Sequence, residues 1–220
     1  MKTSKNEDKL LKEAAEWRMI GLLFECPVND WRNEVNALAA EMTDKRLKKA
    51  AVAAVGEGSE GMYHSIFGPG GPAPPREVSY RSWIQPGYLL SELSAYYAAF
   101  SYHPETPDPP DHVAIETGFI SYLRLKQAYA ELLGDAEHAS IASDAAQKFI
   151  SEHLVKIAHP LAKTLEFSGV DYLAMAAGAL LERVGKDKDA GARRNLPIME
   201  TGATEDDGFF ECGSADGSGA

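Results

Sequence analysis

Apolar residues recur at helical spacing along most of the chain. In the first half this pattern predicts four helices, before the glycine- and proline-rich loop at 68–75. Glu77–Trp83 is the only stretch with some strand character, and it is too short and isolated to form a sheet, so we expect an extended loop. The first predicted helix ends before Pro27, and the second runs from Asn29 or Asp30 to Met42. The third runs from Thr43 and Asp44 to Gly56, and the fourth passes through Met62 and Phe67.

The second half continues the helical pattern. Pro86 suits the first turn of a fifth helix, and Asp111 is a good N-cap for a sixth that ends at Gly134. A seventh helix is predicted from Glu137 to Ala158, where His159–Pro160 breaks it, and Pro160 starts a short segment with Leu161 and Leu165. A last helix is predicted from Val170 to Val184 and ends at Gly185. The predicted buried face of the sixth helix is Ile115, Phe119, Tyr122, Leu123, Tyr129, Leu132 and Leu133, and that of the seventh includes Ile141 and Phe149.

The segment from Pro104 to His112 interrupts this series with four prolines in seven positions. Prolines fix the backbone and remove donors, so no helix can cross it. We expect an all-α bundle of two packed parts, joined by a stiff hinge at about 103–111, within one domain of residues 1–185. Residues 186–220 are acidic and rich in glycine, and we expect a disordered tail.

Composition narrows the classes of function. The net charge of −11 argues against binding to nucleic acid, which needs clustered lysine and arginine. No apolar run is long enough to cross a bilayer, and the charged N-terminus does not resemble a signal peptide, so a cytoplasmic protein is expected. Cys26 and Cys212 lie far apart and indicate neither a disulfide framework nor a zinc site.

Motifs for catalysis are missing from the sequence. It contains no glycine-rich phosphate loop, no GxSxG, no HExxH and no cysteine cluster. None of the six histidines pairs with another at i+4, so a metal site would have to be assembled in three dimensions, and His153 and His159 fit helix ends or the core better than ligands. The sequence therefore predicts no cofactor and no metal.

Several motifs resemble the TorD/DmsD/NarJ family of cytoplasmic chaperones for molybdenum oxidoreductases. The most specific is Asp108–His112 followed by an apolar helix, which is similar to the family pattern of Glu, Pro, any residue, Asp and His. Tyr63–Phe67, Ser79–Trp83 and Phe149–Leu154 resemble further family motifs. Thr117–Gly118 departs from the family, which usually has bulkier apolar residues there.

The resemblance implies a chaperone with a TorD/DmsD-like fold that is not an enzyme. Such proteins bind the N-terminal region of a molybdoenzyme catalytic subunit, often a twin-arginine signal peptide, and delay export until the molybdenum cofactor is inserted. The carboxylates would attract the arginines of the peptide, and aromatic side chains would form an apolar wall. The predicted contacts are the polar residues Asp108, Asp111, His112 and Glu116, and the wall residues Tyr80, Ser82, Trp83, Tyr88 and Tyr122.

Other interpretations remain open at this point. Asp111 can simply cap its helix while His112 packs against the turn, and each aromatic residue can belong to the core. The client can be a nitrate-reductase-type enzyme that is not exported. A nucleotide hydrolase and an α-helical module that binds a small ligand are alternatives from other classes. A hinge between two parts also permits a domain-swapped dimer in place of a monomer.

Overall fold

Nine α-helices form most of the part of the chain that the computed structural model describes, which is residues 5–82, 84–104 and 106–186. The chain also has a short 3₁₀ turn at Glu77–Tyr80 and a π-helical turn at Ile150–Leu154. Extended pairing within the described residues is limited to one bridge between Arg76 and His112, so the all-α prediction is confirmed. The helices are α1 Lys5–Leu23, α2 Trp31–Glu41, α3 Lys45–Glu57, α4 Glu60–Phe67, α5 Pro86–Ala99, α6 Val113–Leu132, α7 Ala136–Phe149, α8 Val155–Leu165 and α9 Asp171–Val184.

Several helix ends follow from local sequence chemistry. The Asp44 carboxylate accepts hydrogen bonds from the backbone N–H groups of Arg46 and Leu47 and so caps α3. Pro86 occupies the first turn of α5, where its missing N–H leaves no partner unsatisfied. Gly185 follows α9 with a φ of 73°, a conformation that favours glycine. These three predicted ends are confirmed.

The predicted break at Pro160 is wrong. The helix predicted from Glu137 ends instead at Phe149, and α8 continues through Pro160 to Leu165. A proline removes one intrahelical hydrogen bond, but Ile157, Leu161 and Leu165 of α8 are fully buried in the core. Burying three such side chains stabilises the helix by more than that lost bond, so packing overrides the local signal.

The predicted buried face of α6 is correct only in its first part. Ile115, Phe119 and Leu123 are buried, whereas Tyr129 and Leu133 are 64% and 63% exposed. Leu132 of α6 and Ile141 of α7 are also exposed, at 37% and 47%. Spacing shows which residues share a helix face, but it does not show whether another helix covers that face.

One hydrophobic core combines helices from both sides of the proline-rich segment. Phe119 of α6 contacts Tyr97 of α5 and Phe149 of α7, with 4.9 Å between ring centroids in each pair. Helix α1 packs along α6, and α3 packs against α9. The described residues therefore belong to a single compact unit, and the predicted hinge between two packed parts is not confirmed.

Two further expectations concern the tail and the absence of a membrane-spanning helix. Residues 187–220 lie outside the described part of the chain, so the disordered tail stays a prediction. No helix within the described residues is both long enough and apolar enough to span a membrane.

Phe149 tests the contribution of the aromatic core. Its ring is fully buried among Phe119, Tyr96 and His153. We expect Phe149→Ala to lower the free energy of unfolding by about 3–5 kcal/mol, because it leaves a cavity in a close-packed core. Phe167→Ala is the control, since Phe167 is 81% exposed and its loss should change stability little. Equal effects of the two variants in chemical denaturation would contradict this assignment.

Candidate functional site

The start of α6 is held by a buried carboxylate. The Asp111 side chain is fully buried and accepts hydrogen bonds from Arg76 Nε at 2.9 Å and from the Val78 backbone N–H at 3.3 Å. Its backbone carbonyl accepts from the N–H of Glu77 at 2.8 Å. The predicted N-cap role of Asp111 is therefore wrong, because its carboxylate binds the preceding loop and leaves the helix N-terminus to the next residue.

That next residue, His112, caps α6 with its ring. Nδ1 accepts a hydrogen bond from the backbone N–H of Ala114 at 3.2 Å, which leaves the proton on Nε2, 3.2 Å from the Tyr63 hydroxyl. Burial lowers the pKa of His112, although Asp108 and Asp111 oppose that shift. The side chain is thus a neutral structural cap.

Glu77 and His153 form a second buried pair next to this junction. Both side chains are fully buried, and His153 Nδ1 lies 3.1 Å from Glu77 Oε2. Arg81 donates to Glu77 Oε1 at 2.9 Å and to the backbone carbonyl of Glu152 at 3.0 Å. Removing one member would leave a buried polar group of the other without its partner, which typically costs about 1–3 kcal/mol.

Glu116 completes this buried polar group and lies one helical turn beyond His112. Both of its carboxyl oxygens are buried without a hydrogen-bond partner among the described residues. Burial raises the pKa of Glu116 well above its usual value, and the neighbouring charges of Glu77 and Asp111 raise it further. The carboxyl is therefore a neutral acid in the folded chain.

The structure separates the residues predicted to contact a peptide. Asp111, His112 and Glu116 come together, but all three are inside the protein, with exposures of 0%, 2% and 0%. Asp108 is partly exposed and accepts a hydrogen bond from the Thr106 hydroxyl at 2.9 Å. The polar contact role of these residues stays a prediction.

The predicted aromatic wall is also divided. Tyr80 is partly buried and donates to the Pro74 carbonyl at 2.8 Å, and its burial raises its pKa to about 12. Ser82 and Tyr88 are exposed, near the start of α5. Trp83 lies outside the described residues. Tyr122 is placed elsewhere, on α6, where its hydroxyl donates to the Phe100 carbonyl at 3.1 Å.

Tyr122 lines a groove of about 480 Å³ between α1, the start of the proline-rich segment and α6. That volume falls within the range of ordinary ligand sites, roughly 300–1,000 Å³. Of the residues predicted to contact a peptide, only Tyr122 is among those that line this groove. Those that matter for its chemistry are Arg18, Glu25, Glu34, Tyr102, Ile115 and Leu125.

Carboxylates in this groove already hold a guanidinium group. Arg18 Nη1 donates to Glu25, and Nη2 lies 3.4 Å from Glu34 Oε2. The side chains of Glu25 and Glu34 are 30% and 53% exposed, so both are accessible from solvent. Glu25 and Glu34 lie 7 and 16 positions after Arg18, and this spacing gives no signal in the sequence that the three side chains meet.

A close approach between backbone and ring shapes the same groove. A Cβ atom at Gly118 would lie 2.6 Å from the Tyr102 hydroxyl, and one at Gly21 would lie 3.0 Å from Thr117 Oγ1. The missing side chain at Gly118 thus lets the Tyr102 ring pack against α6 at the edge of the groove. The unusual Thr117–Gly118 pair was the one sequence signal for this part of the groove.

An apolar stripe continues along α6 from the groove. Tyr122, Leu125, Tyr129 and Leu132 follow one another at spacings of three or four, which places them on one helix face. Leu125 lines the groove, and it is 46% exposed. Large apolar side chains exposed in a row are typical of a surface that binds a partner.

Comparison with known proteins identifies the family. The sequence model of the nitrate reductase delta subunit family matches residues 29–162, which is more than half of the chain. The chain belongs to the nitrate reductase delta subunit family. This is a NarJ/TorD-type family of molybdoenzyme assembly chaperones, not a catalytic family, so the resemblance found in the motifs is confirmed.

The family match includes α6 and the buried Asp111–His112 junction, but it begins after Arg18 and Glu25. The groove therefore combines residues inside and outside the matched range. No curated protein and no solved structure matches the chain.

Glu116→Gln tests the neutral state of the buried acid. In the unfolded chain Glu116 ionises above its usual pKa of 4.5, whereas the folded chain keeps the proton. The free energy of unfolding therefore falls as pH rises, because folding must protonate Glu116 again. Glutamine removes this pH-dependent cost because it is neutral in both states. We expect the variant to gain stability over the parent between about pH 5 and about pH 8, with the gain growing with pH.

The measurement is chemical denaturation across this pH range. Glu57→Gln is the matched control on an exposed residue of α3. A gain that does not depend on pH, or that shrinks as pH rises, would contradict the neutral acid.

Gly118→Ala tests the close approach to Tyr102. The added methyl group overlaps the Tyr102 hydroxyl, so we expect a loss of about 1–3 kcal/mol in denaturation. Gly61→Ala is the control in helix α4, because its Cβ would meet no atom within 4 Å. Adding Tyr102→Phe to Gly118→Ala should restore part of the stability, since it removes the overlapping oxygen. No recovery would refute the contact.

Proposed function

We propose that the chain binds the N-terminal, twin-arginine region of a molybdoenzyme catalytic subunit in the groove between α1 and α6. In the cytoplasm it holds this client, the apo-enzyme, until the molybdenum cofactor is inserted, and so delays export. The observation that carries the proposal is the combination, in one groove, of carboxylates that hold a guanidinium and the apolar stripe of α6.

The arginine pair of a signal peptide would exchange with Arg18. Glu25 and Glu34 already accept hydrogen bonds from the Arg18 guanidinium, so the site has the charge and the acceptor geometry for an incoming arginine. Exchange replaces one partly exposed ion pair by another, which keeps the electrostatic cost small. The net charge of −11 also favours the approach of a basic peptide.

The apolar stripe would receive the hydrophobic region that follows the arginines. Tyr122, Leu125, Tyr129 and Leu132 offer anchors at helical spacing, the arrangement used when an apolar segment lies along a helix. Burial of the exposed leucine and tyrosine side chains supplies binding energy in proportion to the apolar area covered.

The buried polar group has a supporting role in this proposal. Asp111, His112 and Glu116 hold the start of α6, from which the groove wall extends. Asp108 lies partly exposed on the proline-rich segment and is the remaining candidate of the predicted polar set for direct contact. Tyr80, Ser82, Trp83 and Tyr88 would act only if the client extends beyond the groove.

The family description favours a second candidate, a client related to nitrate reductase that is not exported. Its N-terminal segment would use the apolar stripe of α6 and would not need a pair of arginines. The two candidates therefore differ in how strongly binding depends on Glu25 and Glu34.

Peptide binding measured by fluorescence anisotropy tests the proposal. The probes are a twin-arginine signal peptide, the same peptide with both arginines replaced by lysine, and an N-terminal peptide of a nitrate reductase catalytic subunit. We expect Glu34→Lys to weaken binding of the twin-arginine peptide about tenfold, equivalent to about 1.4 kcal/mol. Glu57→Lys makes the same change of charge on α3 and should have little effect.

The apolar part is tested with Leu125→Ser and Tyr129→Ser, against Val52→Ser, which changes an exposed apolar residue of α3. Losses at Leu125 and Tyr129 but not at Val52 support the groove. Equal affinity for the arginine and lysine peptides would favour the client that is not exported. If no peptide binds, or if the control variants weaken binding as much as the groove variants, the proposed site is wrong.

A further inference from the structure

Three potential ligand side chains meet where α5 faces the π-helical turn. Glu92 lies on α5, and Glu152 and His153 are neighbours in the turn Ile150–Leu154. One ligand atom from each residue lies within 4.8 Å of the other two. None of these residues lines the groove between α1 and α6.

The ring nitrogen that faces this cluster has no hydrogen-bond partner among the described residues. His153 is fully buried, and its Nε2 atom is unpaired. The nearest carboxylate oxygen, Glu92 Oε1, is 4.0 Å away, which is too far for a hydrogen bond. A buried polar atom left without a partner is uncommon and calls for an explanation.

The other ring nitrogen has the partner that a metal-binding histidine normally has. His153 Nδ1 lies 3.1 Å from Glu77 Oε2, and Arg81 Nη1 lies 2.9 Å from Glu77 Oε1. A hydrogen bond from Nδ1–H to Glu77 leaves Nε2 as the acceptor atom of the ring, within 4.8 Å of a carboxylate oxygen of Glu92 and of Glu152. A carboxylate behind the histidine orients the ring and increases its basicity toward a metal.

We propose that Glu92, Glu152 and His153 bind a divalent transition-metal cation, and that Zn²⁺ fits this donor set. One imidazole nitrogen and two carboxylate oxygens are ordinary ligands for zinc, at distances of about 2.0–2.2 Å. The side chain of Glu92 is 49% exposed and can rotate to close the remaining gap. Zinc sites with three protein ligands keep a further position open to water.

The groups around the cluster are compatible with a cation. The Tyr96 hydroxyl donates to Glu152 Oε2 at 2.7 Å and leaves Oε1 as the ligand atom. Lys148 Nζ lies 4.0 Å from that Oε1, and its side chain is 64% exposed, so it can move into solvent when a metal binds. The wider turn of the π-helix separates neighbouring side chains by a smaller angle than an α-helical turn, which helps Glu152 and His153 reach one ion.

The bound metal would connect α5 to the junction of α7 and α8. This contact joins elements from the two sides of the proline-rich segment through metal–ligand bonds. Binding to the folded chain but not to the unfolded chain raises stability by mass action. Metal binding therefore has a readout in thermal denaturation that does not depend on a client peptide.

The test uses the full chain, freed of metal with a chelator. Zn²⁺ is titrated by isothermal calorimetry, Co²⁺ is titrated as a spectroscopic probe, and the melting temperature is recorded with and without Zn²⁺. We expect one site per chain, a Zn²⁺-dependent rise in melting temperature, and a loss of affinity of about tenfold or more in Glu92→Gln. Glu152→Gln should have a similar effect.

Two controls separate this site from other zinc-binding groups. Glu60→Gln removes an exposed carboxylate that lies 3.7 Å from His64 and should leave the affinity unchanged. Cys26→Ser with Cys212→Ser excludes the thiols as ligands. His153→Gln is interpreted only if its circular dichroism matches that of the parent, because this residue is buried.

Loss of affinity at Glu92 and Glu152 with retention at Glu60 and the cysteines supports the site. Absence of saturable Zn²⁺ and Co²⁺ binding would overturn it. Binding that survives Glu92→Gln and Glu152→Gln but disappears in a control variant would overturn it as well.

Discussion

The buried carboxylate of Asp111 is the contact on which the surrounding structure depends. A fully buried charge is tolerated only with partners, and here they are the Arg76 guanidinium and the backbone N–H of Val78. The loop before the 3₁₀ turn must therefore lie against the start of α6. This placement brings Glu77 inside, where it pairs with His153 and Arg81. One ion pair thus organises a loop, a helix start and the π-helical turn.

Helix α6 distributes polar and apolar residues in an unusual way. Its first turns bury Glu116 and Thr117, while its last turns expose Tyr129 and Leu133. The buried part follows from the network around Asp111, because each polar group there has a partner or is neutral. The exposed part has no internal explanation, since apolar rings on a surface add nothing to the stability of the folded chain. The client proposed above would cover this stripe, in keeping with a family of assembly chaperones.

The proposed peptide groove and the proposed metal site use different residues. The groove collects Arg18, Glu34 and Leu125 from α1, α2 and α6, whereas Glu92, Glu152 and His153 join α5 to the turn before α8. The two proposals can therefore be tested one at a time. Because α5 and α8 share the core with α6, a metal bound by Glu92 would also stiffen the scaffold behind the groove.

Local chemistry in the sequence determined the all-α class, most helix positions, the cap at Asp44 and the helix ends at Pro86 and Gly185, because these depend on neighbouring residues. The family motifs were visible for the same reason. At the site, sequence reasoning placed only Tyr122 in the groove and missed Arg18, Glu25 and Glu34.

Tertiary structure alone decided the rest. Because of tertiary packing, α8 continues through Pro160, Tyr129 is exposed and Glu116 is buried. It also brought Glu92 of α5 beside His153. Each of these outcomes depends on which distant helix covers a given face, and the spacing of residues along one helix carries no information about its neighbours.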